Sequence, residues 1–349
     1  MSVWNDITLQ VENLQAVVQK HAAANRAELE RAARVLRQAD RIVFTGVGSG
    51  LNATLPACYY LMANGRPAQY VDTTEIIYGM LPGLKGAALV LNTRSGETAE
   101  LIKLAHAARE AGIPAVAVTN ELESTVAGLA GVAIPTYSRW DDLVVISAYS
   151  GMAATELVLA GQVLGRLDEV LADLAAAAQA GEGVLSQAVE KRAELLHMFL
   201  AARPVYLLGR GASLATALGG ELVLEEMSRR PAVAMAGGLF RQGPLEVVDE
   251  SFRAFFFGGT GEPARLSARL AAELMQHGAQ VAWVAPSPLQ GALEIRLPDL
   301  PAHILPLLEI IPCHVLAHDL ARAQGFEPGE VRYIQKVITS ETGIPNANP

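Results

Sequence analysis

Apolar positions along the first half of the chain alternate between two rhythms. Short apolar runs at residues 41–45, 68–72, 87–92, 115–119 and 132–135 read as strands, and the stretches between most of them carry helical spacing over ten or more residues. Strands that alternate with helices imply parallel βαβ units in a sheet covered on both faces. Before the first strand, residues 7–36 read as a helical arm with Leu9, Val11, Leu14, Val17 and Val18 spaced along it. After the fifth, residues 143–164 and 167–202 are long helical segments with no strand between them, so a domain boundary is expected near 181–183.

The pattern then starts again. V-Y-L-L-G-R-G from Val205 repeats I-V-F-T-G-V-G from Ile42 at a spacing of 163, and R-R-P-A at Arg229 repeats G-R-P-A at Gly65. T-G-E at Thr260 stands where S-G-E stands at Ser95, a spacing of 165, and H-G-A-Q-V-A-W-V at His277 echoes A-G-I-P-A-V-A-V at Ala111, a spacing of 166. Chance similarity has no reason to keep register, so the chain is read as two copies of one α/β domain.

The copies differ where chemistry would sit. Residues 92–100 of the first, N-T-R-S-G-E-T-A-E, lie between a strand and a helix start. Backbone N–H groups at a helix N-terminus lack partners and carry a partial positive charge, so an anion there satisfies donors and dipole together. Thr93, Ser95 and Thr98 would add hydroxyl donors and Arg94 a fixed charge; the plainer alternative is a cap with Ser95 at the N-cap and Glu97 and Thr98 in the first turn. The second copy has Gly258-Gly259-Thr260-Gly261-Glu262-Pro263 there, with most hydroxyls gone, so anion binding is expected of copy one. The second copy instead carries Glu225-Glu226 where the first has Leu61-Met62, and two adjacent helical glutamates cannot both face the same way.

Composition narrows the classes. The 349 residues are 51% hydrophobic, enough for two medium cores. A net charge of −9 and a pI near 5.4 argue against nucleic acid as a partner. No apolar run reaches the length of a membrane span and the first eleven residues lack the pattern of a signal peptide, so a cytoplasmic protein with no membrane partner is expected. Cys58 and Cys313 sit in apolar surroundings, which argues against disulfides and a cysteine metal site. His314 and His318, four apart, are read as packed or surface residues in the absence of a third ligand. G-V-G-S-G-L at Gly46 has Leu51 where a dinucleotide loop needs its third glycine, and no cofactor or metal is expected.

G-V-G-S at Gly46, T-R-S-G-E-T at Thr93, L-G-R-G at Leu208, E-E-M-S at Glu225, F-R-Q-G-P-L-E at Phe240 and Y-I-Q-K-V-I-T-S-E at Tyr333 together resemble the double sugar isomerase (SIS) domain. The likeness is to the isomerase half of glucosamine-6-phosphate synthase and to related sugar-phosphate isomerases, deaminases and deglycases. It implies two tandem flavodoxin-like αβα sandwiches: a helical arm over 1–34, a phosphate-loop domain over 35–180, a catalytic-glutamate domain over 181–335 and a tail over the site from 336 to 349. It implies that Ser49, Thr93, Ser95 and Thr98 hold the phosphate, with Gly48, Arg94 and Gln242 also binding substrate, that Glu226 is the catalytic acid/base moving a proton between C1 and C2, and that Lys336 is a catalytic lysine reaching back over the site. Many relatives have histidine where Gln242 stands, and glutamine cannot shuttle the proton that opens a sugar ring. The activity implied is aldose–ketose isomerisation of an anionic sugar, without a glutaminase domain. Aminosugar-phosphate deaminase or fructosamine-phosphate deglycase is the runner-up, and a non-catalytic sugar-phosphate-binding regulator the reading of another class. A homodimer with site residues contributed across its interface is also expected, on the resemblance and the apolar arm.

Overall fold

The computed structural model describes residues 2–340 except 25, 142–143, 202–203, 335–336 and 338–339. Ten strands form two separate five-stranded sheets. The first holds β1 (Arg41–Thr45), β2 (Ala68–Tyr70), β3 (Ala87–Thr93), β4 (Ala115–Thr119) and β5 (Val132–Pro135) in the order β2-β1-β3-β4-β5. The second holds β6 (Val205–Gly209), β7 (Ala232–Ala236), β8 (Arg253–Phe257), β9 (Gln280–Ala285) and β10 (Leu293–Arg296) in the order β10-β9-β8-β6-β7. Read from its other edge, the second order is the first: second strand, first, third, fourth, fifth. Every pairing is parallel, so the repeat in the sequence is a repeat of topology, and each copy has the doubly wound flavodoxin-like order.

The burial of the strands follows from this. All seven residues of β3 are buried, as a central parallel strand with helices on both faces requires. Phe255 of β8 stacks on Phe199 and lies beside Phe257, filling one face of the second sheet with aromatic rings. By contacts between residues the chain groups into two compact units. One comprises residues 13–140 and 147–172 and holds the first sheet; the other comprises 2–12, 141–146 and 173–330 and holds the second. The helix Leu167–Glu190 runs unbroken through Gly181 and Gly183, and a Cβ at Gly181 would come within 2.9 Å of Val11.

The N-terminal arm is two helices, Val3–Ala23 and Arg26–Gln38. Ile7, Val11, Leu14 and Val17 are buried within the chain itself. The apolar stripe read as a motive for dimerisation is therefore covered, at these positions, within one chain. His314 is likewise interior: its Nδ1 lies 2.9 Å from Gln10 Oε1 and burial lowers its pKa to about 3, so the ring is neutral and donates to the amide oxygen. His318 pairs with Asp319 and tilts against Trp4. Both cysteines are buried thiols.

One charge-bearing group has no evident structural use. Glu156, on the helix Ser147–Leu164, is completely buried and neither of its carboxyl oxygens has a hydrogen-bond partner among the described residues. Burial holds its pKa well above the ordinary carboxylate value, so the side chain is folded in as the acid. Stability contributed by that proton is complete below the unfolded pKa and is lost as pH rises through the folded one. Glu156→Gln is expected to raise the melting temperature at pH 8 and to leave it nearly unchanged at pH 4.5; thermal melts at the two pH values check this, and equal effects at both would contradict it.

Candidate functional site

In the first copy the carboxyl ends of β1 and β3, where the strand order switches direction, face the crevice in which such folds bind ligands. Residues 46–48 follow β1 and lead into the helix Ser49–Ala63; residues 94–98 follow β3 and lead into the helix Ala99–Glu110. The turns are pinned to each other through backbone. Asn92 Nδ2 donates to the Gly50 carbonyl at 2.7 Å, and the Asn92 carbonyl lies where a Cβ at Gly46 or Gly50 would be, 3.0 and 2.9 Å away.

The hydroxyl groups are arranged by the same turns. Thr93 Oγ1 accepts from the Gly96 N–H at 3.1 Å and Ser95 Oγ from the Glu97 N–H at 3.2 Å. Each oxygen is fixed by a backbone donor, and a hydroxyl that accepts through its lone pair keeps its proton to donate. Gly96 turns the chain at a φ of 68°, and a Cβ there would fall 1.9 Å from Ser124 Oγ. The Glu97 carboxylate accepts from Thr125 N at 2.7 Å and Thr125 Oγ1 at 2.9 Å, which ties the loop to the helix Thr125–Leu129.

The helix after this loop starts later than the plain capping alternative requires. Its N-cap is Thr98, not Ser95, and the Thr98 side chain makes no capping hydrogen bond; Gly48, the N-cap of the helix Ser49–Ala63, has no side chain to offer. Two helices thus begin at adjacent strand ends with their first N–H groups uncapped by side chains, flanked by Ser49, Ser95 and Thr98, all half-buried. Arg94 is buried and its guanidinium lies over the Trp140 ring, 4.6 Å from the centroid, so its charge is stacked as well as near the loop. A cleft of about 540 Å³ elsewhere in this unit, lined by Arg31, Arg109, Pro114 and Gly131, opens at the amino ends of β4 and β5, away from the loop.

In the second copy Glu226 lies near the end of the helix Leu214–Ser228 and is half-buried, while Glu225 is exposed. The neighbours of Glu226 on this helix are occupied with structure. Glu221 Oε1 accepts from Ala234 N at 3.0 Å and Glu225 Oε1 from Ala232 N at 3.5 Å. One turn apart, these carboxylates satisfy outward N–H groups of the edge strand β7, the groups that an uncovered edge leaves unpaired. Burial, and then the charge of Glu225, raises the pKa of Glu221. Glu226 lies about 100° further round the helix from Glu225.

Gln242 follows the short helix Gly237–Phe240 and is exposed; its N–H donates to Leu239 O at 2.9 Å, and Gly243 beyond it has a φ of 136°. Arg210, which no motif argument singled out, rests on the same segment: Cβ atoms at Gly237 and Gly238 would fall 3.1 and 3.3 Å from its guanidinium. Burial, with the charge of Arg241, lowers its pKa. Lys336 lies outside the described residues. Among those residues no group of histidine, cysteine and carboxylate side chains is placed to hold a metal, and no helix is long and apolar enough to cross a membrane.

Comparison with known proteins agrees with this architecture. The SIS domain model matches residues 35–160 and 198–290, more than half of the chain, and the chain belongs to the SIS-domain family. It is 27% identical over 342 residues to the glutamine–fructose-6-phosphate aminotransferase (isomerizing) of Pyrobaculum aerophilum, covering 95% of this chain and 56% of that one. It is 28% identical over 344 residues to the Aeropyrum pernix protein of that name, covering 90% and 53%. The chain thus spans about half the length of the curated relatives it matches. In fold it is similar to the glucosamine-6-phosphate deaminase of Thermotoga maritima, with a TM-score of 0.79 at 19% identity over 97% of this chain and 99% of the other. It is also similar to the tagatose-6-phosphate ketose/aldose isomerase of Escherichia coli, with 0.75 at 17% over 94% and 96%.

Proposed function

We propose that this chain is an aldose–ketose isomerase of a phosphorylated sugar. The observation that carries the reading is the first copy's loop: two uncapped helix starts at adjoining strand ends, with Ser49, Thr93, Ser95 and Thr98 around them. Such a loop anchors a phosphate remote from the reacting carbons, and remote binding energy orients those carbons. The named activities of the relatives, on fructose, glucosamine and tagatose 6-phosphates, support a sugar phosphate as ligand. Glu226 is assigned the acid/base role: it takes the proton next to the carbonyl and returns it to the neighbouring carbon through an enediol. Lys336 is assigned, with backbone N–H groups, to the developing oxyanion.

Gln242 favours a second reading. A glutamine where the family resemblance implies a ring-opening histidine suits a regulator that binds a phosphorylated sugar without turning it over. One experiment separates the two. A panel of sugar 6-phosphates and 6-sulfonates is screened by thermal shift, and each binder is incubated in D₂O and followed by NMR. The isomerase reading expects deuterium at C2 together with the isomeric sugar; binding without exchange leaves the regulator.

The loop assignment makes its own prediction. Ser95→Ala with Thr98→Ala is expected to raise KM by about 10- to 100-fold, roughly 1.4 to 2.7 kcal/mol for the lost hydrogen bonds to a charged group, with kcat and melting temperature little changed. Unaltered affinity for every anionic ligand would remove the loop from the site.

A further inference from the structure

The switch-point crevice of the second copy, at the carboxyl ends of β6 and β8, already holds a carboxyl group, and it is the chain's own. Glu309 closes the short helix Pro306–Glu309 and is completely buried. Its Oε1 accepts from Ser213 Oγ and its Oε2 from Thr216 Oγ1, each at 2.8 Å, and the backbone N–H of Gly259 acts with them to lower its pKa. Ser213 is the N-cap of the fifteen-residue helix Leu214–Ser228 and Thr216 lies in its first turn; Gly259 belongs to the loop that follows β8.

These groups lie at the two turns of the second copy that correspond to the first copy's turns after β1 and β3. A Cβ at Gly46 would strike Gly50, and a Cβ at Gly209 would strike Ser213, so Ser213 stands in the second turn where Gly50 stands in the first. In the sequence spacing of the two loops Gly259 stands where Arg94 stands, and Thr260 where Ser95 stands. At Gly259 φ is 66°, and a Cβ would meet Ser213 Oγ at 3.3 Å, so glycine is what lets that N–H be aimed inward. The hydroxyls lost from the second copy's loop are replaced by two on its helix, and all the donors converge on one side chain.

We propose that the second copy retains a working anion cradle whose resident ligand is the Glu309 carboxyl group, which closes that copy to any external anion. An ordinary helix cap would explain one hydrogen bond; it does not explain two hydroxyl donors from different helix positions, beside a strand-end loop that comes within 3.3 Å of one of them, gathered on a residue fully removed from water. Burial raises the Glu309 pKa to about 7 and the three donors hold it from rising further, a balance that charge-stabilising donors produce around a desolvated acid. The Cys313 thiol, one turn on in the next helix, is pushed up by burial and by Glu309.

A cradle separates from a structural contact by accepting its ligand from solution. The full chain carrying Glu309→Ala is melted at pH 8 in rising sodium acetate, against sodium chloride at equal ionic strength. The expected result is a melting temperature below wild type that acetate, and not chloride, restores saturably by at least half, with no such rise in wild type. A folded Glu309→Ala protein that responds to acetate as wild type does would overturn the proposal. Should Glu309→Ala fail to fold, Glu309→Gln, which keeps the volume, decides it. The folded pKa of Glu309 lies above its unfolded value, so its contribution is present at pH 4.5 and lost as pH rises through 7. Glu309→Gln should then flatten the wild-type fall in melting temperature between pH 5 and 8, and an unchanged profile would overturn the proposal.

Discussion

Glu226→Gln is expected to lower turnover of the phosphorylated sugar by about 10² to 10⁴ while its dissociation constant stays near the wild-type value. The amide keeps the shape and a hydrogen-bonding oxygen but cannot carry a proton between C1 and C2. Glu226 is half-buried near the end of the helix Leu214–Ser228. Glu221 and Glu225 are engaged with the N–H groups of Ala234 and Ala232. Glu225→Gln is therefore the paired control: an amide oxygen can still accept from Ala232, so turnover should hold within about twofold. Loss of C2 deuterium exchange in Glu226→Gln, with thermal-shift binding retained, is the signature; near-normal exchange would assign the proton transfer to another group.

The strands of the first sheet were legible because four of the five are short apolar runs closed by glycine, asparagine or proline (β2 instead runs into Asp72 and Thr73), and a fully parallel sheet makes such runs continuous rather than alternating. The strand β3, buried at all seven positions, is the clearest case. The repeat was legible because the turns after β1 and β6 share a steric demand: glycine at 46 and 209 is required by backbone four residues on. What sequence could not give is which polar groups the turns consume. Ser95 reads as an N-cap by composition, yet the helix begins at Ala99 because Thr93 and Ser95 are spent on turning the loop at Gly96. Glu97 reads as a first-turn acid and in fact holds the helix Thr125–Leu129, a partner 28 residues away that no local pattern names. The apolar arm reads as an interface, but burial within one chain and burial between two leave the same periodicity, so Ile7, Val11, Leu14 and Val17, buried in the single chain, do not distinguish them. Glu309 had one visible signal, a lone acid in the otherwise apolar run from Ile304 to Ile311, and that signal says only that a carboxyl is buried, not what surrounds it.

The anion loop depends on backbone meeting backbone, which makes Gly46→Ala the most damaging small substitution expected in the first copy. A Cβ there would stand 2.8 Å from the Gly50 carbonyl carbon and the Leu51 nitrogen and 3.0 Å from the Asn92 carbonyl oxygen. None of these is the end of a flexible side chain. Relief requires the first turn of the helix Ser49–Ala63 to move away from β3, and the Asn92 Nδ2 bond to Gly50 holds them together. The expected cost is about 3 kcal/mol, at the upper end for overpacking a closed site, and a melting temperature lower by roughly 5 to 10 °C. Gly83→Ala, where a Cβ meets nothing within 4 Å, should change stability by less than about 0.5 kcal/mol. The functional consequence separates this from simple destabilisation. Displacing the helix start by even a few tenths of an ångström spoils the convergence of its N–H groups with Ser95 and Thr98, and charge-assisted hydrogen bonds lose strength steeply with distance and angle. Gly46→Ala should therefore lose the thermal shift given by a saturating sugar phosphate at temperatures where it is still fully folded. A folded variant that keeps the wild-type shift would mean that the two turns do not form one anion site.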